Sequence, residues 1–121
     1  MYEIQIERLF RAGHSLRLYD GAMEPVHEHD WLTVVRLQAA KLDAIEVVMD
    51  FHELEKIVAQ ALSPLEGRVL NELEIFRGVN TSAERVVEHI YKAIAPRLPR
   101  GVKLARVTVT EAEGCRASYW E

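Results

Sequence analysis

The chain has a single cysteine, Cys115, so no internal disulfide can staple it, and a lone thiol fits a reducing compartment. It has no apolar run near the ~20 residues that a membrane span needs. Residues Met1 to Phe10 alternate polar and apolar and carry acids, which is not the pattern of a signal peptide. A basic excess is missing as well: 15 Lys and Arg stand against 19 Asp and Glu, for a net charge of −4. That balance speaks against a nucleic-acid groove. Low-complexity stretches, repeats and linker-like composition are also lacking. The expectation is a soluble cytoplasmic domain with neither nucleic acid nor membrane as partner.

What is present is core-forming material. Hydrophobic residues make up 49% and charged residues 28% of 121 residues, the profile of a globular chain. The length allows one domain, 1–121, and excludes a two-domain enzyme. A chain of this size buries roughly two-thirds of the surface its unfolded form exposes, so a core without a cofactor is feasible.

The order of elements is informative. Tyr2, Ile4 and Ile6 alternate with Glu3 and Gln5, the period-2 signature of a half-buried strand. Asp20-Gly21 supplies a turn, and Trp31 to Ala40 reads as a second strand. Val47 to Met49 is a short extended run. Asp50 with Glu53 makes a capping box for a first helix, whose stripe is Leu54, Ile57, Val58, Ala61 and Leu62, ended by Pro64. Thr81 with Glu84 makes a second capping box, followed by Val86, Val87, Ile90, Ala93 and Ile94, with stops at Pro96 and Pro99. Lys103 to Thr110 alternates again, and Gly114 turns the chain into a last strand through Tyr119. The order ββααββ predicts an α+β fold, one four-stranded antiparallel sheet with two helices on one face. The uncovered face and edges call for a further partner, so a homo-oligomer is expected.

Five histidines are His14, His27, His29, His52 and His89. His27 and His29, at i and i+2 of an extended segment, point to the same side. His14 lies at the far end of the first strand, across the hairpin from the pair. Three imidazoles meeting at one spot from rigid strands are the arrangement of a catalytic zinc with an open fourth position. Spacing alone is weakly specific, and His-x-His pairs also occur as plain surface residues. Iron or nickel could take the same imidazoles. His52 reads as exposed in a first helical turn, and His89 as packed at a helix edge. Trp31 can stack on a ligand or fill the core, and Glu72 and Glu74 read as solvated.

Phe10-Arg-Ala-Gly-His14, Val26-His27-Glu28-His29 and Val48-Met-Asp50-Phe51 resemble consecutive landmarks of the 6-pyruvoyl-tetrahydropterin synthase family, which includes 6-carboxy-tetrahydropterin synthases of queuosine biosynthesis. Leu65 to Asn71 sits where the family has Leu-Asp-His-x-x-Leu-Asn, and Asn80-Thr-Ser-Ala-Glu84 where it has Asn-Pro-Thr-x-Glu. Thr108-Val-Thr-Glu111 falls where a strand-end glutamate is expected. The resemblance covers nearly the whole chain in order and spacing. It implies a tunnelling fold, in which subunits join their sheets into an oligomeric barrel, commonly a homohexamer built as a dimer of trimers. It implies Zn2+ on His14, His27 and His29, and a pterin substrate held by Glu84 and Glu111 with the Ser82 hydroxyl at the family's threonine position. A carboxylate suits that task, since it accepts two parallel N–H bonds from the pterin's 2-amino and N3 groups.

The pattern breaks at the proton carriers. The family's cysteine, four residues before His27, is Met23, whose thioether has no proton to exchange. The family's Asp-His pair falls on Glu66 and Gly67, and the glycine between the metal histidines is Glu28. Nothing in the sequence places Cys115 in the missing thiol's role. Glu24-Pro25-Val26-His27 resembles the opening of a subgroup linked to folate synthesis, in which glutamate stands in for cysteine and the product is 6-hydroxymethyl-dihydropterin. Pro25 fixes the backbone beside Glu24, so Glu24 is either a general base or an exposed loop residue. Two readings follow: a zinc-dependent lyase that cuts a carbon–oxygen or carbon–carbon bond in a reduced pterin's side chain, with Glu24 as catalytic residue, or a catalytically inactive oligomer that binds a pterin or purine.

Overall fold

A computed structural model describes all 121 residues. β1 (Tyr2–His14) and β2 (His27–Ala39) pair antiparallel in unbroken register, from Tyr2 opposite Ala39 to His14 opposite His27. Both strands run further toward the hairpin than their hydrophobic patterns predict. Alternation fades at Arg8 because this residue lies at the open margin of the inner face, beside Ala59 and Leu62. In β2 it fades because the polar stretch His27–Asp30 is held by pairing with β1 rather than by burial.

α1 (Phe51–Leu62) buries the five residues of its predicted stripe, and the Asp50 carboxylate caps it by accepting from the His52 N–H at 2.7 Å. Ahead of it, Val47–Met49 is not extended. The Asp43 carboxylate takes the N–H groups of Ile45 and Val47, and Glu46 adopts a φ of 66°. The resulting tight loop turns Val48 and Met49 into the core.

Between the helices, Arg68–Val69 forms a two-residue strand, β3, parallel to β1 at Ala12 and Gly13. Single helical turns follow at Leu70–Glu72 and Glu74–Phe76. α2 (Ala83–Ile94) is capped by Ser82, whose hydroxyl accepts from the Arg85 N–H at 3.2 Å. The Thr81–Glu84 capping box is thereby corrected: Thr81 is fully buried, and its hydroxyl reaches the Ser15 carbonyl and the Asn71 side chain instead. A residue with its hydroxyl turned inward cannot cap the helix that follows.

β4 (Lys103–Ala112) pairs with β2, and β5 (Cys115–Tyr119) with β4, giving the order β3-β1-β2-β4-β5. The four long strands are antiparallel as expected. The sheet nevertheless has five strands, because the short parallel β3 joins the β1 edge. Both helices pack on one face over a core that includes Trp31, Val35, Leu37, Leu54, Val87 and Ile90. The opposite face carries Leu9, Leu32, Val34, Arg36 and Gln38, and β1 and β5 leave edges without a neighbouring strand over most of their length.

After β1 the chain leaves the sheet, and two asparagines clip it down. Asn71 Oδ1 accepts from the Ser15 N–H at 2.9 Å while its Nδ2 donates to the Ser15 carbonyl at 2.8 Å. Asn80 does the same for Arg17, at 2.8 and 3.0 Å. Each amide replaces the strand partner that a ladder would have supplied. Replacing Asn71 by Ala leaves the N–H of the buried Ser15 backbone without a partner and its carbonyl with the Thr81 hydroxyl alone, at about 1–3 kcal/mol for the orphaned group. Urea unfolding of Asn71→Ala should show that loss, while Asn71→Asp, which keeps the acceptor, should lose less.

Candidate active site and metal centre

The β1–β2 register sets the site. Phe10 faces Trp31, Ala12 faces His29, and His14 faces His27, all on the helix-covered side of the sheet. Trp31 is fully buried, donates its indole N–H to the Ala12 carbonyl at 3.1 Å, and stacks on Phe10 with ring centres 5.8 Å apart. Its ring also meets His14 and His29 edge-on, with centres 5.0 and 5.9 Å away. Trp31 is core filling and, through the same contacts, a rigid wall for two imidazoles.

His14 is buried, and its Nδ1 lies 2.6 Å from the Thr81 carbonyl. A carbonyl only accepts, so Nδ1 carries the proton and donates it. In the neutral ring, Nε2 then presents a lone pair to the site. A backbone carbonyl fixing the tautomer from behind is the usual support of a metal-binding imidazole.

On the other side of that lone pair stands Glu111. Its Oε1 is 2.7 Å from His14 Nε2 and 3.3 Å from His29 Nε2. The potential ligand atoms of His14, His29 and Glu111 all lie within 4.8 Å of one another. Imidazole nitrogens and a carboxylate oxygen are the donor types that Zn2+ accepts. At 2.7 Å, His14 Nε2 and the Glu111 oxygen are at hydrogen-bond distance, and the same set of donors, two imidazole nitrogens and a carboxylate oxygen, also fits a divalent metal.

His27 sits at the rim. Its ring centre is 6.2 Å from that of His29, its side chain is 51% exposed, and its Nε2 lies 3.8 Å from Glu24 Oε2. Glu24 is 23% exposed, and its other oxygen accepts from the Leu16 N–H at 3.0 Å. The Ser15 hydroxyl donates to the Glu24 carbonyl, tying both arms of the hairpin at this point. Glu24 is therefore not a free loop carboxylate. It is held at the mouth of the histidine cluster.

Glu84 and Glu111 line one cavity of about 280 Å³ together with Cys115, Arg116 and Ser118. Glu84 is exposed and takes no part in capping, whereas the Ser82 hydroxyl is committed to the Arg85 N–H. The two positions at which the Asp-His pair was missing hold the fold instead. The Glu66 carboxylate accepts from the Arg11 N–H at 3.0 Å, and Gly67, at φ 71°, donates to the Arg11 carbonyl at 2.7 Å. Glu28 faces away from the site and pairs with Arg11 at 3.1 Å, and Met23 is exposed.

Elsewhere, His52 lies on the surface beside Asp50. His89 packs edge-on against Phe76, and burial lowers its pKa below the ordinary 6.5. Three contributions were absent from the sequence reading. Thr81 orients His14, Asn71 and Asn80 clip the chain beside it, and the Glu111 carboxylate reaches the imidazoles. The Asn80-Thr81 landmark signalled the first two, although its periodicity suggested a helix cap.

The family model for 6-pyruvoyl tetrahydropterin synthase matches residues 3–121. No curated protein sequence matches the chain significantly. Among solved structures, 6-pyruvoyl tetrahydropterin synthase of Caenorhabditis elegans superposes with a TM-score of 0.80 at 20% identity, over 98% of this chain and 96% of that one. The Plasmodium vivax enzyme gives 0.79 at 17% identity, and the Plasmodium falciparum enzyme 0.78 at 15%, with the same coverage of 98% and 96%. A further Plasmodium vivax structure, at 0.78 and 18% identity over the same shares of both chains, is of a variant whose substituted glutamate is described as a catalytic residue. With a match across all but its first two residues and a fold shared from end to end, this chain belongs to the 6-pyruvoyl tetrahydropterin synthase family.

Proposed function

We propose that the protein is a zinc-dependent lyase acting on the side chain of a reduced pterin. The observation that carries this reading is the convergence of His14, His29 and Glu111 at one end of the sheet, with Glu24 and His27 on the rim and a carboxylate-lined cavity alongside. His14, His27 and His29 would hold the metal. When bound, it would supply Lewis acidity to the side-chain oxygens, which makes an adjacent C–H acidic.

The remaining chemistry belongs to the chain. Glu84 and Glu111 would accept the parallel N–H groups of a pterin's amino-pyrimidine edge, a role supported by their sharing the walls of one cavity. The Ser82 hydroxyl lies at the start of the same helix and reaches the substrate only by giving up its cap. Glu24 is the proton carrier: one oxygen is anchored by the Leu16 N–H, which leaves the other free to accept a proton. The Plasmodium vivax relative with a glutamate described as catalytic supports this role. Retro-aldol cleavage would then break a side-chain carbon–carbon bond, releasing the distal carbons as an aldehyde and leaving 6-hydroxymethyl-dihydropterin, whereas elimination would break a carbon–oxygen bond and expel the side-chain phosphate. The bare outer sheet face and the free edges of β1 and β5 support a homo-oligomer in which sheets join into a barrel, with the hexamer as the expected size.

Zinc-loaded protein incubated with dihydroneopterin triphosphate is expected to form a new pterin, seen by chromatography, that the chelated control lacks. Absence of product in both would leave a binding protein without turnover. Glu24→Ala should lower the rate about 100-fold, the scale of a lost general base, and an unchanged rate would remove Glu24 from the mechanism. Elemental analysis should find zinc in the purified parent and little in a variant carrying both His27→Ala and His29→Ala. Sedimentation velocity at micromolar concentration should show an assembly well above the 13.9 kDa monomer.

A further inference from the structure

We infer that Glu111 is itself a donor to the cation site in the substrate-free protein, so that metal and pterin share one carboxylate. The inference rests on the cation-site reading and deepens it. Three observations support it. First, one oxygen of Glu111 reaches both imidazoles, at 2.7 Å from His14 Nε2 and 3.3 Å from His29 Nε2, and the other acid in the neighbourhood, Glu24, makes its contact with His27 instead. Second, the His14 ring cannot turn away from that oxygen, because Thr81 holds its Nδ1 from behind and Trp31 lies edge-on beside it.

Third, the backbone aims the carboxylate. On β4, Thr110 pairs with Arg116 and Ala112 with Cys115, so Glu111 is the extra residue of an irregularity in the β4–β5 ladder. Alternation puts Glu111 on the same face as the buried Val107 and Val109, the face that also carries His14 and His29, and at the irregularity it has no partner on β5. Its oxygen thus reaches two rings that come from a different hairpin.

A carboxylate occupied in this way cannot at the same time accept both N–H groups of a pterin. Substrate therefore has to draw Glu111 out of the metal's surroundings, and Glu84, which makes no contact with the imidazoles, is the carboxylate free to receive it first.

The experiment uses the full chain stripped of metal and refilled with Co2+, followed by its visible absorption and by competition with a chelator. No pterin is present. Glu111→Gln and Glu111→Ala are each expected to weaken cobalt binding by at least about 10-fold, the lower end of what lost supporting groups around a metal cost, and to shift the absorption bands. Glu111→Asp, one methylene shorter, should fall between them and the parent. Glu113→Gln removes the same charge from the adjacent exposed turn and should leave affinity and bands unchanged. Affinity within twofold of the parent with unshifted bands in both Glu111 variants would overturn the inference. An equal loss in Glu113→Gln would overturn it too, by assigning the effect to net charge. A parent that takes up no cobalt would overturn the cation site itself, whereas absence of turnover on dihydroneopterin triphosphate would leave this result standing.

Discussion

Everything at the functional end of this protein depends on the antiparallel register of β1 and β2. Because side chains alternate with a period of two, the pairing of His14 with His27 also fixes Ala12 opposite His29 and Phe10 opposite Trp31. A slip of one residue would send the whole set to the opposite face. The stacked Phe10–Trp31 pair and the indole hydrogen bond to the Ala12 carbonyl pin that register from inside the core. The same packing that stabilises the sheet therefore decides where the imidazoles stand.

The site is built by extending the fold's own bonds outward. Asn71 and Asn80 continue the backbone pairing beyond the end of β1 with side-chain amides, and this brings the segment before α2 against Ser15–Arg17. Thr81 arrives with it, its hydroxyl facing inward and its carbonyl behind His14. One short segment thus caps a helix, closes the core and sets an imidazole tautomer. Groups oriented in this way before any ligand arrives need little rearrangement when one binds.

The departures from the family pattern have physical occupations. Glu66 and Gly67, which stand where an Asp-His pair would be, bind both polar groups of the Arg11 backbone and so secure the edge of β1 next to β3. Glu28, in place of a glycine, extends outward to Arg11, because alternation turns the residue between two inward histidines to the other face. Glu24 and Glu111 are the acids beside the histidines, and Glu24 is held by a backbone N–H rather than by a neighbouring side chain.

The sequence by itself determined the helix stripes and the order of the four long strands, because period and chain order act locally and survive without tertiary context. It expected His14, His27 and His29 to meet; the structure groups His14 and His29 with Glu111 and leaves His27 at the rim. The family resemblance also marked Glu111 as a site residue, and its landmarks ran through Asn71 and Asn80 without giving them a role. The sequence misread Thr81 as a cap, because a hydroxyl three residues before a glutamate looks the same whether it faces its own helix or another segment. It left out β3, whose two residues carry no periodicity of their own. Only the tertiary structure decided that Glu111 reaches the imidazoles, that Glu24 rather than Glu28 turns toward His27, and that Asn71 serves Ser15, just past the end of β1 and 56 residues away. Those contacts join segments far apart in the chain, and no local pattern records which distant partner a polar side chain will find.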